Sequence, residues 1–536
     1  MATPMGQPMF ADARAVEQNR VLETEVCIVG GGAAGITLAR DLINSRFRVV
    51  VLESGGFSYD VSTQDLYRGP NTGLPYFALD GVRLRYFGGT TNHWSGDCRP
   101  FDDADFEARR GIPYTGWPIG AADVRPFYGR ASVTCGLPTT NLRSVTSSAL
   151  ALAPIRLRKE RFVNRIVRVV PPTARNFAAR YKEELQRADN VTVYLHANAV
   201  EVKTNESGRK VSAIRVATLS GRRFSVRARV FVLAAGGLET PRLLLASNRQ
   251  WPRGVGNHNG VVGRFFMEHP RFLAAYLAPA GKQPNPRFYT EHETGRERIQ
   301  GYIASAKEFQ LASGLLDVQL RLEQVYHVPK DVSDYAGYIA DLVDEADSWE
   351  RVTIPGLPIP IPYPDVLRDA ARDPKDTYNA LRGKLNSIAV TARIEQAPNP
   401  NSRVRLIRER DALGMHRIAL HWQLSAIDKA NVNRTLALFG VEIGRAGAGR
   451  LKVLHAQNET GWPADTGGGS HLMGTTRMSR DSRHGVVDRD GRVHGISNLY
   501  IAGSSVFATA GGATQTLTLV ALTLRLAEHL KTVGLR

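Results

Sequence analysis

The sequence predicts an α/β protein, with a Rossmann-like βαβ unit at its front and a second domain built around an antiparallel sheet. Three observations carry this expectation. Residues 27–56, CIVGGGAAGITLARDLINSRFRVVVLESGG, read as strand, glycine-rich turn, helix and strand. Two later apolar runs, at 230–236 and 499–503, end in glycine in the manner of buried parallel strands. Between them the chain carries segments of strand character at 273–277, 301–305, 316–322, 388–395, 404–408 and 418–424.

The front stretch is the most specific. Cys27, Ile28 and Val29 form the apolar strand; Gly30, Gly32 and Gly35 supply G-x-G-x-x-G at the entry to a helix bearing Ile36, Leu38, Ala39, Leu42 and Ile43. A second strand at 48–52 ends in Glu53, roughly 20 residues beyond the glycines, where a carboxylate can accept both ribose hydroxyls of an adenosine. Gly30 permits the tight turn, Gly32 leaves room for a pyrophosphate, and Gly35 lets helix and strand approach. Taken alone, the stretch fits a nicotinamide or a flavin dinucleotide equally.

Composition sets the outer bounds. A chain of 536 residues with 43% hydrophobic and 22% charged residues has room for two or more lobes. No run approaches the ~18 apolar residues of a membrane span, and residues 1–21 lack a basic start and an apolar core. They read as a loosely packed lead-in, and the expected location is cytoplasmic. The three cysteines, Cys27, Cys98 and Cys135, are far apart and form neither a disulfide framework nor a zinc pattern, so no metal site is expected. The net charge of +18 is spread along the chain rather than gathered in an arm, which favours anionic substrates or an acidic carrier protein over nucleic acid.

In chain order, the next patterned segment is Gly88-Gly89-Thr90-Thr91-Asn92-His93-Trp94-Ser95, in which two glycines allow close approach to a flat ligand and polar side chains offer hydrogen bonds. Helices are expected at 121–131 and 175–188, strands from 191 to 200 and a hairpin over 202–214. A strand running into Ala235-Gly236-Gly237 precedes a helix beginning near Thr240, with Pro241 in its first turn. Gly263 to Pro270 marks a boundary. The polar stretch reaching Ser348 and the proline-rich residues 352–364 read as loops, and a helix is expected at 426–444. The tail carries His471 in a glycine-rich setting, a short hairpin at 486–495, a last strand ending at Gly503 and a helix over 517–530. The expected division is 22–270, 271–455 for the second domain, and 456–536 returning to the first.

These separated, ordered motifs resemble the glucose-methanol-choline (GMC) oxidoreductases, FAD-dependent enzymes that oxidise alcohols. The G-G-x-x-x-H-W element is similar to that of fungal pyranose oxidases and bacterial members like them. The resemblance spans nearly the whole chain and implies an FAD-binding domain followed by a substrate-binding domain. Gly30, Gly32, Ala33, Ala34 and Gly35 would cradle the pyrophosphate; Glu53 and Ser54 would lie at the adenosine ribose, and Val200 beside the adenine. Gly88, Gly89, Thr90, Asn92, His93, Trp94 and Ser95 would line the flavin ring, with Ala235, Gly236, Gly503 and Thr516 completing the cofactor site. His93 stands where pyranose oxidases join their flavin covalently, whereas bacterial relatives with similar text can bind it without that bond; both arrangements stay open.

His471, in H-x-x-G-T, aligns with the family's active-site histidine, and an imidazole suits removal of a hydroxyl proton near neutral pH. The chief departure is at its partner. Where the family has G-x-N-P-T-L-T, this chain reads Gly512-Ala513-Thr514-Gln515-Thr516-Leu517-Thr518, so Thr514 replaces asparagine and Gln515 replaces proline; Ala508 likewise replaces a proline. The resemblance implies oxidation of a secondary alcohol, of a sugar or glycosylated natural product, to a ketone, with oxygen, a quinone or another acceptor reoxidising the flavin. The departures leave two alternatives: dehydrogenation of an unusual biosynthetic intermediate, or a flavin-binding protein that has lost alcohol oxidation.

Overall fold

The computed structural model describes residues 9–137, 154–280, 288–294, 297–324, 388–454 and 461–532. The front motif forms as expected, with strand Val21–Val29, helix Ala33–Asp41 and strand Val49–Leu52. The first of these is central. On one side it pairs in parallel with Val49–Leu52, followed by Val191–Leu195 and Phe10–Asp12; on the other it pairs with Arg223–Leu233. The long strand Arg223–Leu233 splits its remaining edge. Residues 223–226 pair antiparallel with Val211–Ala217, and residues 231–233 pair in parallel with Leu499–Ile501. The tail thus returns to the sheet that the front began. Val49–Leu52 is buried throughout, as a strand covered on both faces requires, and the helix Ala33–Asp41 packs on the closing helix Gln515–Thr532.

The second sheet is antiparallel, in the order Gly449–Val453, Arg271–Pro279, Ile388–Ile394, Val318–Gln324, Glu297–Ser305, Phe162–Val169 and Asp97–Cys98. Side chains alternate along these strands, which sorts them into two unlike faces. Ile388, Val390, Ala392, Val318, Leu320, Leu322 and Phe272 pack against Val432, Leu436, Phe439 and Ile443 of the helix Ala426–Arg445. The opposite face presents Gln300, Tyr302, Gln319, Arg321, Thr391 and Arg393.

Four expectations change or fall away. Phe10–Asp12, within the lead-in, is an edge strand paired with Val193–Leu195, because Phe10 packs edge-on against Phe57 and Phe87 at 5.0 and 5.3 Å. The strands Arg403–Arg410 and His416–His421 form a separate two-stranded ribbon. Residues 325–387, which hold most of the expected polar stretch and all of the proline-rich one, lie outside the described residues. The helix expected near Thr240 spans Gly236–Ala246, placing Pro241 inside it. Proline lacks the N–H that would bond the carbonyl four residues earlier; that carbonyl, on Gly237, instead accepts the Thr475 hydroxyl at 2.6 Å. The tail thereby mends the gap.

Thr475 is fully buried. Thr475→Val keeps the shape but leaves the Gly237 carbonyl without a donor, so urea denaturation should show a loss of about 1–3 kcal/mol. An unchanged midpoint would mean that the proline gap needs no repair.

Candidate active site

Three glycine-ended segments meet at the carboxyl edge of the parallel sheet. Gly30 has φ +108°, and a side chain on Gly35 would place its Cβ 1.8 Å from the Gly30 carbonyl oxygen, so strand and helix touch as the motif demands. The helix Ala33–Asp41 starts after Gly32 with no side-chain cap, leaving its first amides bare around Ala33 and Ala34. The amide of Gly88 donates to the Gly31 carbonyl at 2.8 Å, which brings the Gly88–Ser95 loop against the front motif. Gly503, at the end of the last strand, has φ +123° and open space where a side chain would sit.

Glu53 is buried at its strand end. Its two oxygens accept the Gly31 and Gly55 amides at 2.8 and 2.9 Å; burial raises its proton affinity, opposed by those bonds. Each oxygen keeps a further lone pair, and Ser54 lies beside it, half-buried. Val200 falls at a β-bulge, between the pairs Ala199–Val216 and Glu201–Arg215, so its backbone lies outside the regular ladder. A second uncapped helix starts at Gly236, φ +79°, after Ala235. Bare helix N-termini for phosphate charge, a carboxylate at the strand end and a bulged backbone fit an FAD, and these are residues that could hold it.

Within the glycine loop, the 3-10 turn Gly89–Asn92 orients the side chains. Thr91 caps the Gly88 carbonyl, Trp94 donates to the Arg175 carbonyl at 2.8 Å, and Thr90 and Ser95 are exposed. The Asn92 Oδ1 is buried without a partner among the described residues. His93 is half-buried, and burial depresses its proton affinity.

Sequence reasoning missed the partner of His471. The Nδ1 atoms of His269 and His471 lie 2.7 Å apart, and His269 Nε2 is 2.7 Å from the Gly511 carbonyl oxygen. That oxygen can only accept, so His269 Nε2 carries a proton. His269 is fully buried; burial and Arg393 push its pKa down to about 4, so it is neutral and its Nδ1 offers a lone pair. His471 Nδ1–H must then donate across the 2.7 Å contact, which leaves His471 Nε2 unprotonated. Burial, followed by His269, Arg393 and Arg321, holds the His471 pKa well below its ordinary value. The pair therefore presents one unprotonated imidazole nitrogen that can accept a proton.

Glu268 fixes the pair in place. Its carboxylate accepts the backbone amides of His269, Gly469 and His471 at 2.8, 2.9 and 2.6 Å, and the Tyr76 hydroxyl. The available sequence signal was Met267-Glu268-His269-Pro270, an acid and a histidine side by side ahead of a strand, read there only as a boundary. Thr514 is buried and donates to the Asp97 carbonyl at 2.6 Å. Gln515 and Thr516 open the closing helix, both half-buried, and the Gln515 Oε1 has no partner among the described residues. Among those residues no group of His, Cys, Asp or Glu is suited to a metal ion, and no helix is long and apolar enough to cross a membrane.

A family model described as GMC oxidoreductase matches residues 398–523. Over nearly its whole length the chain is similar to the 2-methyl-1,2-propanediol dehydrogenase of Mycolicibacterium austroafricanum, at 22% identity covering 95% of each chain. The chain carries a GMC oxidoreductase domain at residues 398–523. Another relative is the 6'''-hydroxyparomomycin C oxidase of Streptomyces lividus, 24% identical over 94% of this chain and 92% of its own. Among solved structures, pyridoxine 4-oxidase from Mesorbium loti shares the fold of this chain, with TM-score 0.50 and 16% identity over 94% of this chain and 98% of that one.

The buried histidines also set an acid limit on stability. Between pH 6.5 and 4 the unfolded chain protonates its imidazoles while folded His269 stays neutral, so stability falls as the pH falls. At pH 4.5 the loss from His269 alone should be about 2–3 kcal/mol. Denaturation at pH 7 and 4.5 should show a smaller gap for His269→Gln than for the parent; an equal gap would place a protonated His269 in the folded state.

Proposed function

We propose that this chain oxidises a secondary alcohol, of a sugar or a glycosylated natural product, to a ketone, with His471 taking the hydroxyl proton. The observation that carries this is the 2.7 Å contact between His269 and His471, with its bond onward to the Gly511 carbonyl, which leaves His471 Nε2 as a neutral acceptor. FAD, when bound, supplies the hydride acceptor at its N5. The protein's share is to place the alcohol carbon, accept its hydroxyl proton at Nε2 and keep water out. The sugar or glycoside preference draws on relatives named for such compounds, the 6'''-hydroxyparomomycin C oxidase and, over 22% of this chain, a C-glycoside 3-oxidase.

Thr514 takes no part in proton removal in this reading. Its hydroxyl is committed to the Asp97 carbonyl, so it ties the catalytic loop to the second sheet, and the unpartnered Gln515 Oε1 stands in for the amide that the family usually carries. His93 has a neutral imidazole under burial. Acid precipitation separates the two ways of holding the cofactor: yellow colour kept by the polypeptide marks a bond through His93, and colour released to the supernatant marks its absence. The electron acceptor, oxygen or a quinone, is read from whether the reduced flavin recovers its spectrum rapidly in air.

His471→Ala should leave the flavin spectrum intact and slow anaerobic flavin reduction by roughly 10²–10⁴-fold; unchanged reduction would remove His471 as the base. His269→Asn should slow it less, as His471 loses its imposed tautomer. Any acid fall in reduction should then begin at a higher pH than in the parent, since one of the groups that lower the His471 proton affinity is gone while burial remains. In the parent, reduction should stay level as the pH falls through 6.5, because the His471 pKa lies well below that value. A fall centred at 6.5 would contradict the relay.

A further inference from the structure

The polar face of the antiparallel sheet closes over the catalytic loop. Gln319 donates from its amide to the Gly512 carbonyl, one residue beyond the carbonyl that holds His269. Thr514 binds the backbone of Asp97, and the Asp97 carboxylate faces two guanidiniums: Arg321 at 3.1 Å and Arg393 at 3.6 Å. Two cations therefore share one carboxylate. Arg321 is otherwise held by Gln300 at 2.7 Å, with its Nε buried and unpartnered. Arg393 goes further. Its guanidinium makes no hydrogen bond among the described residues, although only 12% of its side chain is exposed, and its Nε is fully buried without a partner.

An arginine so enclosed ordinarily bonds a carboxylate or several carbonyls, since its five N–H groups lose water on burial. Around it lie more orphaned groups. Gln319 stands directly opposite Arg393 in the ladder, and its Oε1 is buried without a partner. The Tyr302 hydroxyl, on the same face, is buried and unpartnered as well. Surplus charge and unmet polar groups gather on the wall that Gln319 and Thr514 join to the loop carrying Gly511, the acceptor of His269. Burial first, then His269, then Arg393 and Arg321 lower the His471 pKa, and burial followed by Arg321 pushes Arg393 itself down to about 10.

We propose that this wall is an anion subsite for the substrate: Arg393, with Arg321 beside it, binds a carboxylate or phosphate carried by the sugar whose hydroxyl meets His471. Planar N–H pairs match the paired oxygens of such groups. Gln319 Oε1 can accept a neighbouring sugar hydroxyl and Tyr302 can donate to the anion. Asp97 keeps the guanidiniums aligned without cancelling them, and Thr514 ties that aspartate to the catalytic loop. The substrate class is thus an acidic sugar, such as a uronic acid glycoside or a sugar phosphate. The proposal rests on the reading that His471 is the base at the reacting hydroxyl.

The test uses the flavin-loaded protein and three probes: phenyl β-D-glucuronide, glucose 6-phosphate and phenyl β-D-glucoside. In anaerobic mixing, at least one acidic probe should reduce the flavin with a ten-fold or greater advantage over the neutral glucoside in rate divided by dissociation constant; which one leads identifies carboxylate or phosphate. Arg393→Gln should cut that probe's advantage over the glucoside ten-fold or more, and Arg393→Lys should recover part of the preference. Flavin content and melting temperature identify a variant that fails to fold, in which case Arg321→Gln, with the same expected direction, takes its place. Calorimetry with glucuronate and with inorganic phosphate reads the subsite independently of turnover. Binding lost in Arg393→Gln with no flavin reduction by any probe would uphold the anion subsite and refute the oxidation reading. Flavin reduction by the glucoside alone, with no binding of either anion, would do the reverse. Equal loss on acidic and neutral probes in Arg393→Gln, accompanied by a shift in flavin potential, would assign the charge to the flavin and overturn the proposal.

Discussion

The Glu268 carboxylate is the constraint on which the active site depends. Its two oxygens gather three backbone amides and a tyrosine hydroxyl, from segments that are distant in sequence. A buried carboxylate is costly unless its lone pairs are filled. Here the donors are the amides of Gly469 and His471, within a glycine-rich loop that has few side chains to anchor it, and the amide of His269, whose ring faces His471. Satisfying one charge therefore fixes the spacing of two imidazoles. The 2.7 Å contact between them follows from this framework more than from any attraction between neutral rings.

The second sheet contributes by being two-faced. Its apolar side is buried against the helix Ala426–Arg445, and this packing holds the polar side rigidly over the loop from Gly511 to Thr514. Beneath the same loop lies a dense ionic layer. Lys307 joins Asp105 and Asp317, each at 3.0 Å, while Arg109 joins Glu395, whose other oxygen accepts the Gly511 amide at 3.1 Å. Gly512 has no room for a side chain, because a Cβ there would lie 1.7 Å from Asp317. The carbonyl that fixes the tautomer of His269 is thus held by charges that are themselves mutually satisfied. Through Asp102, which Lys307, Arg99 and Arg165 share, that layer sets four cations against four carboxylates, in contrast to the Arg321–Arg393 pair above it, which shares one.

Features that depend on neighbours in sequence were legible from the sequence. The turn at Gly30, the helix after Gly32 and Glu53 at the strand end all lie within one βαβ unit, where spacing and geometry are tied by the chain itself. The strands of both sheets were largely legible too, because period-2 alternation and buried apolar runs are local signals. Helix Gly236–Ala246 began earlier than expected because the objection to Pro241 is answered by Thr475, far along the chain. His269 was hidden for the same reason: its partner is 202 residues away, and no local pattern marks a histidine as one half of a relay. Thr514 was legible as a departure but not in its consequence, since its bond runs to Asp97 in a different sheet.

The positive wall and the neutral base are linked through electrostatics. An isolated imidazole near neutral pH is partly protonated, and a protonated base accepts nothing. Burial above all, then His269, and then Arg393 and Arg321 disfavour a proton on His471. On the reading that His471 is the base, the resting site is kept ready by His269, in the place where many hydrolytic sites use a carboxylate. A base held so far below neutrality is also a weak one. On the anion-subsite proposal, an acidic substrate relieves this conflict: its charge offsets the two guanidiniums as it binds, and the proton affinity of His471 rises when the hydroxyl is in place. A neutral sugar would meet the same base in its weakened form, so discrimination between the two would appear in the chemical step as well as in binding.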